Sequence, residues 1–280
     1  MPGTESVQIP TDDGVTLNGR WFRPDGPPRR IVLIAAAMAT KARFYTPLAE
    51  WLSGQGIAAL VFDYRGYGDS GDGDLRKVGN DLMRWAQDAA DTLDWLLDGA
   101  DGVPVTWLGH SLGGQVLPLA EHRRLASAIT VASGSGYWRS NPGALRFIAP
   151  LLWKGIGPAA IRLTGYYPGA KLKLLGDLPP NVMRQWSRWC MHPDYLIGEF
   201  PELRARFTGF QTPLTSISFT DDELLSGASI STLHDLYPLR NRRMLRYAPA
   251  DLGVSRIGHF GFFRAGNESI WAKTLGPLLD

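Results

Sequence analysis

The run Val103-Pro104-Val105-Thr106-Trp107-Leu108-Gly109-His110-Ser111-Leu112-Gly113-Gly114-Gln115-Val116-Leu117 joins an apolar segment, a glycine-flanked serine and a renewed apolar stretch. It reads as strand, sharp turn and helix. That layout is what a nucleophile elbow needs: a buried strand ends, glycines two residues either side of the serine let neighbouring backbones pass closely, and the strained serine points its Oγ outward. Ser111 is therefore the expected nucleophile. Leu112 opens the following helix, so its N–H has no intrahelical acceptor and is placed to hold a developing oxyanion. In a chain with 32 glycines a bare G-x-S-x-G is a weak signal. Its position between a strand-like run and a helix gives it weight, and it is the sole match in the chain.

Working outward on the N-terminal side, Val7-Gln8-Ile9 and Val15-Thr16-Leu17-Asn18-Gly19-Arg20-Trp21-Phe22 alternate about the turn signal Asp12-Asp13-Gly14 and predict an antiparallel hairpin. Ile31 to Ala37 and Ile57 to Phe62 are continuous apolar runs of the kind buried on both faces of a parallel sheet. Phe44, Leu48, Trp51 and Leu52 recur at helical spacing between them. Leu82, Trp85, Ala86, Ala89, Leu93, Leu96 and Leu97 mark one face of a long helix, with Asn80 as the expected N-cap and Gly99 beyond its end. On the C-terminal side, Pro118 falls early in the elbow helix and predicts a kink.

Ala128 to Ala132 continues the sheet, and alternation then stops. Residues 137–207 are helix-like and punctuated by proline, with Val182, Met183, Trp186, Trp189 and Cys190 on one helical face. They are expected to form an inserted helical cap. Leu214 to Phe219 resumes the strand pattern, Ile230, Leu233 and Leu236 mark a short helix, and Arg243 to Tyr247 is the expected last strand. A final helix carries Ile270, Trp271, Leu275 and Leu278, with Asn267 as its expected cap. Strand and helix in alternation predict an α/β fold: a mostly parallel sheet wrapped on both faces, with an N-terminal antiparallel hairpin. Residues 1–136 and 208–280 would form the core and 137–207 the cap.

Composition narrows the chemistry. A chain of 280 residues with 44% apolar residues can bury a large core. Its 29 basic and 27 acidic residues leave a net charge of +2, which is no field for nucleic acid. The single cysteine, Cys190, excludes an internal disulfide, and no Cys/His cluster has zinc spacing. No cofactor or metal is expected. Residues 1–6 lack the pattern of a leader and no apolar run reaches membrane-spanning length, so a cytoplasmic protein without an integral membrane segment is the expectation.

A serine hydroxyl attacks only when a base within reach takes its proton and a third group orients that base. Of five histidines, His110 adjoins the serine and cannot fold back as its base; it reads as a packing histidine. His122 suits the negative end of the elbow helix, His192 lies in the cap and His234 on the short helix. His259, in the glycine-flanked Ile257-Gly258-His259-Phe260-Gly261 after the last strand, is the expected base. Thr220-Asp221-Asp222-Glu223 leaves the preceding strand at the carboxyl edge of the sheet, where ligands bind. Asp222 is the expected acid, and the neighbouring carboxylates read as solvated turn residues. Asp251 is a weaker rival, also read as a turn residue.

The elbow Gly109-His110-Ser111-Leu112-Gly113-Gly114, the loop Asp63-Tyr64-Arg65-Gly66-Tyr67-Gly68-Asp69-Ser70, the acidic Thr220 to Glu223 and Gly258-His259-Phe260 together resemble the α/β-hydrolase superfamily. Ser135-Gly136-Tyr137-Trp138-Arg139, Trp186 to Cys190 and Asp251 to Phe263 resemble, more narrowly, predicted bacterial hydrolases near the serine-aminopeptidase and monoacylglycerol-lipase group. The resemblance implies that Asp222 is the last residue of a G-x-x-D motif with Phe219 in place of its glycine, and that residues 63–70 are a structural loop anchored by Arg65. Related enzymes carry His-Gly at the end of the third strand where this chain has Ala35-Ala36-Ala37-Met38; the Ala37 N–H is then the expected second oxyanion donor.

The expected function is hydrolysis of a small-molecule carboxylic ester with a small to medium apolar acyl or alkyl group. Met38, His110, Tyr137, Trp138 and Trp186 are the expected substrate contacts. An acyltransferase or thioesterase would use the same triad, and a non-catalytic ligand-binding protein would use the fold alone.

Overall fold

The computed structural model describes residues 3–280. Eight strands form one sheet: β1 (Gly3–Pro10), β2 (Thr16–Arg23), β3 (Arg30–Ala35), β4 (Ile57–Phe62), β5 (Val105–His110), β6 (Ser127–Val131), β7 (Leu214–Phe219) and β8 (Arg242–Tyr247). Their order is β1-β2-β4-β3-β5-β6-β7-β8. The expected hairpin pairs Ile9 with Leu17, and β2 runs antiparallel to β4; every later pairing is parallel. β4 and β5 are buried at every position, as two-sided apolar runs must be when helices cover both faces.

Twelve α-helices surround the sheet: α1 (Thr46–Gly54), α2 (Leu82–Asp98), α3 (Leu112–Gln115), α4 (Leu145–Leu151), α5 (Gly157–Thr164), α6 (Gly169–Leu172), α7 (Pro180–Met191), α8 (Leu196–Glu199), α9 (Arg204–Thr208), α10 (Gly227–His234), α11 (Glu268–Thr274) and α12 (Gly276–Leu279). Several boundaries differ from the sequence reading. The cap of α2 is Asp81, whose carboxylate accepts from Arg84 N–H, not Asn80. Phe44 lies in a 3₁₀ turn before α1. Pro118 does more than kink the elbow helix: α3 stops after one turn and the chain continues as the 3₁₀ turn Leu117–Leu119. Asn267 precedes α11, but its amide donates to Gly261 O instead of capping the helix.

The strand register positions the site. Ala35 pairs with Gly109, His110 with Val131, Val131 with Ile217 and Phe219 with Tyr247. The carboxyl ends of β3, β5, β6, β7 and β8 are thus nearly level, and the loops after them share one edge. Loop 63–70 is held from below: the Arg65 guanidinium donates to Asp88 at 2.6 Å and to Asp13 at 2.7 Å, and the Asp63 carboxylate accepts from the backbone of Ala42 and Asp69. Arg65 and Asp88 are both buried, and a buried pair with one member removed costs about 3–5 kcal/mol.

Candidate active site

Ser111 has φ 49° and ψ −108°, left-handed backbone that a side chain rarely adopts. Close packing enforces it. A Cβ on Gly113 would overlap the carbonyl oxygen of Ala35, one on Gly109 would overlap the backbone of Gly113, and one on Gly114 would meet Ser133 Oγ. Three glycines therefore let β5, α3 and the ends of β3 and β6 crowd round one turn. The turn is pinned further by Ser111 N–H donating to Val131 O and by Ser133 Oγ–H donating to Ser111 O at 2.9 Å.

His259 is buried, and its Nδ1 lies 2.9 Å and 3.1 Å from the two carboxylate oxygens of Asp222. A carboxylate only accepts, so Nδ1 carries the proton and Nε2 is left with a lone pair and no hydrogen-bond partner among the described residues. Asp222 is itself fixed by the N–H groups of Leu224 and Leu225, which donate to Oδ1 at 2.8 Å and 2.9 Å. The neighbouring acids do more than solvate a turn, although Glu223 is exposed as expected. Asp221 Oδ2 accepts from the N–H groups of Ile257 and Gly258, at 2.7 Å and 3.0 Å, and Glu223 Oε2 accepts from His259 N–H at 3.1 Å. Three consecutive carboxylates thus hold one loop: Asp222 takes the ring, its neighbours take the backbone.

Ser111 and His259 line the same cavity, of about 240 Å³, with Met38, Trp153, Trp186, Tyr195 and Leu225 among the other walls. No hydrogen bond joins Ser111 Oγ to His259 in this structure, a separation common before a substrate tightens the site. Two backbone donors flank the serine. Leu112 N–H is the first of its helix and has no acceptor among the described residues. The expectation for Ala37 is corrected: its N–H donates to Tyr45 Oη at 2.8 Å, whereas Met38 N–H has no partner among the described residues and lines the cavity.

His110 explains that shift. His110 Nε2 lies 3.1 Å from the carbonyl oxygen of His259, which can only accept, so Nε2 bears the proton; Nδ1 then accepts from Tyr45 Oη at 2.9 Å. A single chain runs from the His259 backbone through His110 and Tyr45 to Ala37. Complete burial holds His110 well below the ordinary histidine range, and the nearby His259 lowers it further, so His110 stays neutral. It lies outside the cavity wall and links two loops.

Of the other expected substrate contacts, Met38 and Trp186 line the cavity, while Tyr137 and Trp138 do not. Trp138 instead packs on Tyr137 and under the Arg139 guanidinium. Trp153 takes the expected place, its ring edge-on to Trp186 at 4.8 Å. A polar thread crosses the wall: Trp186 Nε1–H donates to Tyr195 Oη, which donates to Gln115 Oε1, and Gln115 Nε2–H donates to Gly134 O. Spacing alone hinted at neither Tyr195 nor Gln115 in that thread. His122 is not a charged helix terminus; it is buried against Phe210 and burial lowers its pKa. Phe219, where glycine is usual, is buried against Phe262 at 5.5 Å. Among the described residues no group of three or more His, Cys, Asp or Glu side chains could hold a metal ion, and no helix is long and apolar enough to cross a membrane.

A mostly parallel eight-stranded sheet with a serine elbow, and with a histidine and an acid following at its carboxyl edge, defines an α/β-hydrolase. The same fold is seen in a soluble variant of monoglyceride lipase from Saccharomyces cerevisiae (TM-score 0.66, 16% identity, 100% of this chain and 95% of that one). It recurs in an esterase of Pyrococcus furiosus (TM-score 0.64, 17% identity, 99% and 89%). The family model described as serine aminopeptidase, S33, matches residues 26–172, just over half the chain, and the protein belongs to that family. Among curated relatives, human monoglyceride lipase is 30% identical over 124 residues, 44% of this chain and 40% of its own length. A monoacylglycerol lipase of Mycolicibacterium smegmatis is 29% identical over 171 residues, 60% and 52%. The matches span about half or less of those relatives' lengths.

Proposed function

We propose that the protein is a serine hydrolase acting on carboxylic esters with a small to medium apolar acyl or alkyl group. The observation that carries this reading is the pairing of His259 Nδ1 with Asp222 beside Ser111 on one cavity wall, with the N–H groups of Leu112 and Met38 unpaired. Ser111 Oγ attacks the ester carbonyl carbon as its proton passes to His259 Nε2, and Asp222 stabilises the imidazolium. The carbonyl oxygen becomes an oxyanion between Leu112 N–H and Met38 N–H, an arrangement for which removal of one donor costs about 10²–10³ in kcat. The C–O bond to the leaving alcohol breaks, His259 returns the proton to it, and water attacks the acyl-serine by the reverse assignment. Residues 137–207 act as a cap that sets substrate choice, a role supported by the apolar walls that Leu145, Ala149, Leu152, Trp153 and Trp186 contribute.

A fluorophosphonate probe should label Ser111, with no labelling of Ser111→Ala, and a panel of p-nitrophenyl esters and thioesters of rising acyl length should show turnover. Labelling elsewhere, or none in folded protein, would refute the reading. Acyl transfer by the same triad is the second reading; a Penicillium crustosum protein named as a polyketide transferase is 34% identical over 100 residues, 34% of this chain and 32% of its own length. Rates that rise with added alcohol acceptors, giving the new ester as product, would favour transfer.

A further inference from the structure

Residues 138–176 contain six basic side chains, Arg139, Arg146, Lys154, Arg162, Lys171 and Lys173, and no aspartate or glutamate. All six are exposed and none forms an ion pair with a described residue. These 39 residues thus carry a local charge of +6 in a protein whose net charge is only +2.

The same segment holds most of the large exposed apolar side chains. Phe147 is 72% exposed, Leu151 60% and Leu163 84%, with Ile148 and Leu172 also exposed. The helix α4 has two apolar faces. Leu145, Ala149 and, one turn on, Leu152 line the cavity, whereas Phe147, Ile148 and Leu151 point the other way, to solvent. A helix that buries one apolar face need not display a second. Lys154 and the π-helical turn Leu152–Ile156 lead directly into α5, which presents Leu163 beside Arg162. Arg146 stacks over Phe147 at 4.7 Å, and the exposed Lys173 also lines the cavity, which therefore reaches the surface within this segment.

We propose that this face, residues 139–173, docks on an anionic lipid bilayer surface. Unpaired cations interspersed with exposed aromatic and aliphatic side chains are the chemistry of interfacial binding: apolar groups enter the headgroup boundary while lysine and arginine meet anionic headgroups. A polyanion in water would match the charges and leave Phe147, Leu151 and Leu163 bare. A second copy of the same face would place six cations against six. Docking would bring the cavity against the membrane, and on the ester-hydrolase reading an apolar ester would enter without crossing water. The binding itself does not depend on that reading.

The test is sedimentation of Ser111→Ala protein with vesicles of phosphatidylcholine alone and of equimolar phosphatidylcholine and phosphatidylglycerol. Binding should be confined to the anionic vesicles and weaken with salt. Combined Arg146→Gln, Lys154→Gln and Arg162→Gln should cut partitioning roughly a hundredfold, at about fivefold for each basic residue. Phe147→Ser and Leu163→Ser should each lower it roughly tenfold or more. None of these five residues lines the cavity, so hydrolysis of a water-soluble short-chain ester by the corresponding Ser111-containing variants should be unchanged, which also reports correct folding. Equal binding to both vesicle types, or binding untouched by the variants, would overturn the proposal. So would heparin binding without vesicle binding, or a change of oligomeric state without vesicle binding. If the soluble ester is hydrolysed and vesicles are not bound, this inference falls alone; if vesicles are bound and no ester is hydrolysed, only the catalytic reading falls.

Discussion

The sheet edge and the segment that roofs it are built by opposite rules. At the edge, backbone is packed against backbone: a Cβ on Gly109, Gly113 or Gly114 has nowhere to go, and carboxylates 221–223 clamp one loop with five hydrogen bonds. In the roof, helices are short, Pro150 lies inside α4, and the non-glycine residues Lys173, Leu175 and Tyr195 adopt positive φ. Fixed geometry is what stabilisation of a developing charge requires, because a donor displaced by a fraction of an ångström loses much of its effect. Apolar recognition is non-directional and tolerates such variety in its walls.

The sharpest break of that contrast lies in the clamp itself. Asp222→Asn should lower kcat on a soluble ester on the order of 10⁴, since the amide orients the wrong imidazole tautomer. Asp221→Asn leaves that ring contact intact and should chiefly lower stability, read as a fall in Tm with most of kcat kept. A kcat loss for Asp221→Asn equal to that of Asp222→Asn would mean that the loop, and not the ring, is what the acids control.

Packing at the edge should be unforgiving in a way the roof is not. Gly113→Ala should destabilise the fold by about 3 kcal/mol or more, the scale of an overpacked core in which the obstacle is backbone. Gly143→Ala, in the roof with open space around it, meets only the strain of its positive φ, about 1 kcal/mol. Urea titration of both variants checks the ranking.

Acid should find the sheet before the roof. His234 on α10 is buried, donates Nδ1–H to Ile230 O and accepts from Thr130 Oγ1, and burial lowers its pKa to about 4. Between the unfolded value, about 6.5, and about 4, only the unfolded chain takes up this proton, so stability falls as pH falls through that window, by about 3 kcal/mol in all. Above the window the contribution is flat. Denaturant midpoints measured from pH 7 to pH 4 should show the decline, and a His234→Gln variant should show less of it.

The smallest effects should come from the roof. Trp153→Ala and Trp186→Ala should extend or blur the acyl-length optimum, where each methylene buried is worth about 0.8 kcal/mol, or roughly fourfold in kcat/KM. Trp138→Ala, off the cavity wall, should leave the length profile as it is. A reversed ranking would assign acyl-length selection to the half-buried pair Tyr137 and Trp138.

The same contrast separates what could be read in the chain from what could not. The two-sided apolar runs of β3, β4 and β5, the Asp12-Asp13-Gly14 hairpin and the glycine-serine-glycine turn are local signals, because a strand buried on both faces and a turn with crowded backbone restrict residue type at each position. The pairing of Asp222 with His259 followed from strand ends and chain order. Only the tertiary structure decided that Tyr45 occupies the Ala37 N–H and leaves Met38 free, that Asp221 and Glu223 bind backbone amides 36 residues or more away, and that Trp153, not Trp138, walls the cavity. Each of these depends on which partner reaches a group first across long sequence separation. Hydrogen-bond satisfaction in a packed interior is settled among whatever atoms the fold brings together, and residue type at one position carries no record of that outcome.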